Sequence, residues 1–200
     1  MKIAVYGATG QVGSRIVAEA RGRGHDVTAF SRRGGSGATA GDAADLGQVR
    51  EVAASHDVVV SALGPSRVPG EDPYAFAGTV RGLMSAVGAT RLIVVGGSGS
   101  LYVAPGVRLF DAPGFPEIYK AESLAGAQAL DALREAGPEL DWTYLCPAPE
   151  FGPGERTGRY VSGLDEPVGN SISFDDYAIA LVDEIERPAH RRQRFTVASS

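Results

Sequence analysis

Residues 3–20 read IAVYGATGQVGSRIVAEA, and this stretch decides the fold. Its first four residues are apolar and β-prone, which predicts a short strand. From Ser14 onward, apolar side chains recur at helical spacing, which predicts a helix. Three glycines, Gly7, Gly10 and Gly13, lie between the two. The chain therefore begins with a strand, a glycine-rich turn and a helix.

Glycines in such a turn have physical roles in binding a dinucleotide. One permits the tight turn, one lets a pyrophosphate approach the backbone, and one lets the helix pack close to the strand. The N–H groups of the first helical turn then point at the phosphates, and the helix dipole favours that negative charge. The cofactor-binding residues predicted here are Gly7, Thr9, Gly10, Gln11, Val12 and Gly13.

Strand-like and helix-like segments alternate along the rest of the chain. The unbroken apolar run at residues 57–64 is typical of a parallel strand buried on both faces. We predict one α/β domain over residues 1–200, a Rossmann-like, doubly wound, mostly parallel sheet with helices on both faces. Residues 148–170 are glycine-rich, and we expect them to form a small segment that covers the substrate, with a hairpin near residues 158–161.

Composition narrows the class of protein. A net charge of −5 argues against a nucleic-acid surface, which needs a basic face. No apolar run is long enough to span a membrane, and Met1 leads almost directly into the first strand, so we expect no signal peptide. The three histidines are scattered, and their spacing predicts no metal site. The single cysteine, Cys146, is predicted to be a buried structural thiol, and we expect a cytoplasmic protein.

Cofactor preference is indicated by the end of the second predicted strand. A site specific for NAD places an acidic residue there, to bind the ribose 2′-hydroxyl. This chain has Ser31, Arg32 and Arg33 instead, and a guanidinium group matches a 2′-phosphate. We predict that these residues bind NADP(H) in preference to NAD(H). The alternative is a solvated loop edge, which would leave the preference open.

In an open parallel sheet, the ligand crevice lies at the carboxyl ends of the strands. Small residues there allow the ribose and nicotinamide of a cofactor to lie against the backbone. Residues at the ends of the fourth, fifth and sixth predicted strands are therefore further candidates for cofactor binding. They are Ala62, Leu63, Gly64, Gly97, Pro147 and Ala148.

These segments together resemble the atypical short-chain dehydrogenase/reductases, and among them the NADH-flavin-reductase-like, or NAD(P)H-binding, proteins. The Gly-x-x-Gly-x-x-Gly spacing is common to many reductases. The segments VVGGSGSL at 94–101, LDWT at 140–143 and ISFDDYA at 172–178 are more specific together. The resemblance implies a Rossmann-like fold and a bound NAD(P)(H). More distantly, the chain resembles biliverdin/flavin reductases and regulators that sense NADP.

The resemblance also implies roles for individual residues. In the segment GDAAD at 41–45, Asp42 matches the residue that accepts from the adenine amino group, with Ala43 beside it. Its alternative is a turn-forming or capping role, and Asp45 is predicted to cap the next helix. Ser98 matches the catalytic Ser or Thr after the fifth strand, with Ser100 as second choice. The alternative for both serines is an ordinary polar turn.

The usual catalytic element Tyr-x-x-x-Lys is absent from the chain. Four residues after Tyr119 comes Ser123, and Lys120 is adjacent to Tyr119. Adjacent residues of a helix point about 100° apart. The alcohol-dehydrogenase mechanism is therefore not supported, although Tyr119 remains a candidate for proton donation or stacking.

We hypothesise an NADPH-dependent reductase of a flat conjugated acceptor, a flavin or a quinone, acting as a monomer or homodimer. Aromatic residues within 101–116, expected to be a long loop, are candidates for a substrate platform or for a flap over the core. The alternatives are a non-catalytic sensor of NADP(H) and an epimerase-like enzyme with a tightly bound cofactor.

Two further predictions concern the last part of the chain. Residues 173–176 predict a capping box at the start of a helix. The basic cluster of Arg191, Arg192 and Arg194 is predicted to be a solvated edge.

Overall fold

The computed structural model describes residues 1–66, 68 and 70–200. The sequence predicts a loop at residues 65–72, and Arg67 and Pro69 of this segment lie outside the described residues. The helices are α1 (Gln11–Gly22), α2 (Leu46–Ser55), α3 (Ala75–Ala86), α4 (Lys120–Arg134) and α5 (Phe174–Glu186). The strands are β1 (Lys2–Tyr6), β2 (Asp26–Ser31), β3 (Thr39–Ala40), β4 (Val58–Ser61), β5 (Arg91–Val95), β6 (Tyr102–Ala104), β7 (Val107–Arg108), β8 (Trp142–Pro147), β9 (Glu150–Gly152), β10 (Tyr160–Gly163), β11 (Ser171–Ser173) and β12 (Gln193–Ser199).

Eight of these strands form one sheet in the order β10-β12-β8-β5-β4-β1-β2-β3. Neighbouring strands pair in parallel except for β10 and β12, which are antiparallel. The chain winds outward from β1 in one direction through β2 and β3, and in the other through β4 and β5. This confirms the predicted doubly wound fold. The winding direction reverses between the neighbouring strands β1 and β4, and the ligand crevice is expected at their carboxyl ends.

Alternating side chains of the sheet divide the core into two layers. Ile3 and Val5 of β1 pack on the face covered by α1 and α5. Ala4 and Tyr6, the intervening residues, pack on the other face, against α2, α3 and α4. The sheet is therefore buried on both sides, as the continuous apolar runs of β4 and β5 require.

Two regions differ from their predicted structure, one through a short local hairpin and the other through a long-range strand pairing. Residues 101–116 contain the β6–β7 hairpin and a short 3-10 helix, Leu109–Asp111, rather than a plain loop. The predicted hairpin near residues 158–161 is wrong: β10 pairs with the last strand, from Tyr160 opposite Ser199 to Gly163 opposite Thr196. A local pattern cannot indicate a partner more than thirty residues away.

Helix starts follow the predicted caps. The side chain of Asp45 accepts a hydrogen bond from the backbone N–H of Gln48 at 3.1 Å, at the start of α2. The hydroxyl of Ser173 accepts from the N–H of Asp176 at 3.0 Å, at the start of α5. Each bond satisfies one of the N–H groups that a helix leaves unpaired at its first turn.

The prediction that Arg194 lies on a solvated edge is wrong. Its side chain is buried, with 3% of the residue exposed, whereas Arg191 and Arg192 are exposed. Arg194 lies inside β12, and its guanidinium donates to Asp165 and to the backbone of Ser100. A basic cluster in sequence thus separates into two surface residues and one buried residue, because Arg194 lies inside the sheet between Asp165 and Ser100.

Candidate functional site

The glycine-rich turn after β1 has the close contacts that its sequence predicts. Gly7 has a φ of +79°, a left-handed conformation that favours glycine, and a Cβ there would lie 2.7 Å from the carbonyl oxygen of Ala62. A Cβ on Gly13 would overlap the carbonyl oxygen of Gly7, so only glycine lets α1 pack this close to the turn. The N–H of Gly10 donates to that same oxygen at 3.0 Å.

The start of α1 is suited to phosphate groups. Gly10 is the N-cap, no side chain caps this end, and the first turn carries no acidic residue. Gly10 and Gln11 are exposed, so the N–H groups of the first turn are open to a ligand. A turn with glycine at positions 7 and 10 against open helical N–H groups is the arrangement that accepts a pyrophosphate, and these residues therefore fit a dinucleotide.

A cavity of about 1190 Å³ extends from this helix start along the carboxyl ends of the strands. That volume exceeds the roughly 300–1000 Å³ of ordinary small-molecule sites, so it can hold the nicotinamide half of a cofactor together with a second ligand. Its far walls come from the segment after β7 and from β9. Of the predicted site residues, the following line it: Gly10, Gln11, Val12, Ala62, Leu63, Gly64, Gly97, Ser98, Tyr119 and Pro147.

The remaining predicted residues lie beside the cavity rather than in its walls. Gly7 and Thr9 belong to the turn itself, and Gly13 to the first turn of α1. Ser31 ends β2, Arg32 and Arg33 follow it, and Asp42 and Ala43 follow β3. Ala148 is buried in the core. The N–H of Ala8 donates to the carbonyl of Phe30 at 3.1 Å, which ties the turn to the end of β2.

Arg32 and Arg33 are both exposed, and their contact with a 2′-phosphate stays a prediction. Asp42 is exposed as well, and its Oδ1 accepts from the N–H of Ala44 at 3.0 Å. That bond is the turn-forming role which the sequence offers as an alternative. Adenine recognition by Asp42 stays a prediction.

Three hydroxyl groups line one part of the cavity. Ser98 begins the short 3-10 helix after β5, and Tyr119 ends another just before α4. Ser123, one helical turn beyond Tyr119, is the third, and sequence reasoning missed it as a site residue. A Cβ on Gly99 would overlap the Ser123 hydroxyl, so α4 packs directly against the turn that carries Ser98. Its position four residues after Tyr119, where lysine stands in Tyr-x-x-x-Lys, was the available signal.

Ser100, the second-choice serine, faces away from the cavity. Its carbonyl accepts from Arg194 at 2.6 Å, and its hydroxyl lies 4.0 Å from the sulfur of Cys146. Cys146 is fully buried, as predicted, and burial raises the pKa of its thiol to about 12. Ser100 and Cys146 therefore pack against the Ser98 turn on the side away from the cavity.

Aromatic rings and prolines form the other walls. Phe151 contacts Phe174 edge-on and Tyr177 at a tilt, with ring centroids 4.8 Å apart in both pairs. Phe151 and Phe174 both line the cavity, as does Phe115 on the segment after β7. Together these residues make an apolar compartment suited to a flat ring. Phe151 and Phe174 were not predicted, because β9 and the start of α5 meet only through the pairing of β9 with β11.

Over residues 1–66, 68 and 70–200, no group of three His, Cys, Asp or Glu side chains could hold a metal ion. Within the same residues, none of the helices combines the length and apolarity needed to cross a membrane.

Comparison with known proteins agrees with this geometry. The model of a family described as NAD(P)H-binding matches residues 7–188. YwnB of Bacillus subtilis strain 168 is 40% identical over 215 residues, covering 100% of this chain and 99% of YwnB.

Two solved structures share the whole fold. SP1627 of Streptococcus pneumoniae TIGR4, a proposed NADH-flavin reductase, has 36% identity and a TM-score of 0.91, with 100% of both chains covered. A proposed exported protein of Burkholderia pseudomallei has 46% identity and a TM-score of 0.88, with 99% of each chain covered.

Proposed function

This chain belongs to the NAD(P)H-binding family and has its oxidoreductase-like fold, and from that premise we propose that it is an NADPH-dependent reductase of a flat conjugated acceptor, a flavin or a quinone. The observation that carries the proposal is the large cavity that joins the start of α1 to an aromatic compartment. SP1627, similar along its whole length, is named as a proposed NADH-flavin reductase, which supports the same acceptor class.

The chain's own residues would act mainly by positioning. Bound NADPH would supply the hydride. Gly10 and Gln11 would hold its phosphates, and the small residues from Ala62 to Gly64 would admit its ribose and nicotinamide. Phe151 and Phe174 hold the acceptor ring and exclude water, and alignment of two rings can supply much of the rate enhancement.

The acceptor gains two electrons and one proton with the hydride, and one further proton comes from water or from a hydroxyl of the site. Ser98, Tyr119 and Ser123 are the hydroxyls that can orient the acceptor. No lysine stands at the fourth position after Tyr119, which favours an acceptor that does not depend on an activated tyrosine.

The preference for NADPH rests on Arg32 and Arg33, whose guanidinium groups suit a 2′-phosphate. We also propose a cytoplasmic location for the protein, since its one cysteine, Cys146, is a free thiol. As a small-molecule reductase it would act as a monomer or homodimer, which sedimentation with and without NADPH would test.

The experiment is a fluorescence titration with NADPH and NADH, followed in the same cuvette by addition of a flavin or a quinone. We expect NADPH to bind at least about tenfold more tightly than NADH, and its absorbance to fall when acceptor is added. Arg32→Ala and Arg33→Ala should reduce the preference, whereas the exposed Arg81→Ala serves as control.

Three outcomes of this experiment would contradict different parts of the proposal. Equal affinity for the two cofactors would contradict the role of Arg32 and Arg33. Tight binding without oxidation across a panel of acceptors would contradict the reductase and favour a sensor of NADP(H). Cofactor absorbance in the freshly purified protein would favour an epimerase-like enzyme.

A further inference from the structure

We propose that the acceptor compartment selects rings without phosphate or carboxylate groups, and that Glu150 is the residue that excludes anions. This inference rests on the proposed reductase function and narrows its substrate class. It predicts riboflavin or a neutral quinone as acceptor in preference to FMN, FAD or a carboxylated ring.

The charges around the cavity carry the argument. Among the described residues that line it, the charged side chains are Glu122 and Glu150, and none is lysine, arginine or histidine. The other residues that line the acceptor side are uncharged, with Leu109, Phe115 and Phe151 among its walls. A phosphorylated ring would thus bring its charge beside carboxylates without a cation from these residues.

Glu150 is held in this position by the sheet pairing around it. It begins β9 just after β8, and its N–H donates to the carbonyl of Asn170 at 2.8 Å. It pairs in register with Ser171, and the next residue, Phe151, is packed against Phe174. The backbone of Glu150 is therefore fixed at the cavity wall, while its side chain is exposed.

The physical cause of selection is repulsion combined with desolvation. Two like charges repel more strongly in a partly apolar cavity than in water, because the effective dielectric constant is lower. A phosphate that leaves water without finding a cation also loses hydration that nothing replaces. A neutral isoalloxazine or naphthoquinone ring experiences neither the charge repulsion nor this loss of hydration.

The test compares matched acceptors that differ only in charge. We would measure dissociation constants of riboflavin and FMN by flavin fluorescence anisotropy on the full chain saturated with NADP⁺, and then NADPH oxidation with each. A neutral naphthoquinone and its sulfonate form a second pair. We expect the neutral member to bind about tenfold more tightly. The difference should shrink as salt rises, because salt screens exposed charges.

Glu150→Gln should lower the ratio of the FMN dissociation constant to the riboflavin dissociation constant several-fold. The control is Glu155→Gln, which removes the same charge from an exposed position outside the cavity wall. A response of both variants alike would indicate a general charge effect and overturn the role of Glu150.

The outcomes separate this inference from the proposed function. FMN binding as tightly as riboflavin, or no binding of riboflavin, would overturn the inference even if NADPH is oxidised. Riboflavin binding with the expected selectivity but without any oxidation would uphold the selectivity and overturn the reductase.

Discussion

Arg194 donates a hydrogen bond of 2.6 Å from its Nη1 to the carbonyl oxygen of Ser100, 94 residues earlier in the chain. Its guanidinium also pairs with Asp165 and lies over the ring of Tyr102, 5.3 Å from the centroid. The last strand therefore holds the turn that begins with Ser98, and a residue outside the cavity fixes one of its walls.

Replacement of this arginine should loosen the Ser98 turn. Arg194→Met leaves the buried carbonyl of Ser100 without its donor, and we expect the free energy of unfolding to fall by about 2 kcal/mol. We also expect the acceptor KM to rise more than kcat falls, with partial rescue by Arg194→Lys. Chemical denaturation and steady-state kinetics measure both effects. Arg159→Met, an exposed arginine, is the control, and equal effects of the two variants would contradict the assignment.

Any side chain at position 13 should destabilise the glycine-rich turn and weaken NADPH binding. Gly13→Ala places a Cβ against the carbonyl of Gly7, and we expect a loss of about 2 kcal/mol in stability and at least tenfold weaker NADPH binding. Gly22→Ala, in the same helix with no heavy atom within 4 Å of the new Cβ, should be neutral or slightly stabilising. Thermal unfolding and a fluorescence titration measure both. Tight NADPH binding by Gly13→Ala would refute the predicted phosphate site.

The hydroxyls of the cavity should contribute to turnover. Ser98→Ala and Tyr119→Phe each remove one hydrogen-bonding group from the acceptor site, and we expect kcat to fall about tenfold in each. Tyr74→Phe, an exposed tyrosine outside the cavity lining, is the matched control. Unchanged turnover in both variants would remove these residues from the proposed mechanism.

Acid should weaken the attachment of residues 157–158 to α5. Burial raises the pKa of Asp176, but hydrogen bonds from Thr157 and Gly158 outweigh it and hold this pKa below its ordinary value of 3.8. A lowered pKa stabilises the fold above 3.8, and that stabilisation is lost as the pH falls through the folded-state value.

Asp176→Asn should therefore destabilise the protein near neutral pH, by about 1–3 kcal/mol, and the difference from wild type should shrink below about pH 4. Urea unfolding from pH 7 to pH 3 measures it. Asp175→Asn removes an equal charge from the same helical turn and is the control. A difference that does not depend on pH would contradict the role of the carboxylate.

Cys146 should resist thiol reagents in the folded protein. Burial raises the pKa of its thiol to about 12, so little thiolate exists at pH 8 and the sulfur is inaccessible. We expect labelling by a thiol-reactive dye to follow global unfolding, at least about a hundredfold slower than for the protein in guanidinium. Rapid labelling without unfolding would show that the Ser98 turn opens locally.

Local signals determined much of the fold. The glycine spacing from Gly7 to Gly13 predicted both the turn and the start of α1, because a positive φ and a close helix contact exclude other residues whatever lies further along the chain. The caps at Asp45 and Ser173 were also predictable, since each bond spans only three residues.

The acceptor side of the site was decided by tertiary structure alone. Phe151 enters the cavity because β9 pairs with β11, and Arg194 is buried because Ser100 and Asp165 surround it. Ser123 becomes a site residue only when α4 packs against Gly99. These contacts join residues about 20 to 94 positions apart, and no periodicity or local motif records which distant side chains a folded chain brings together.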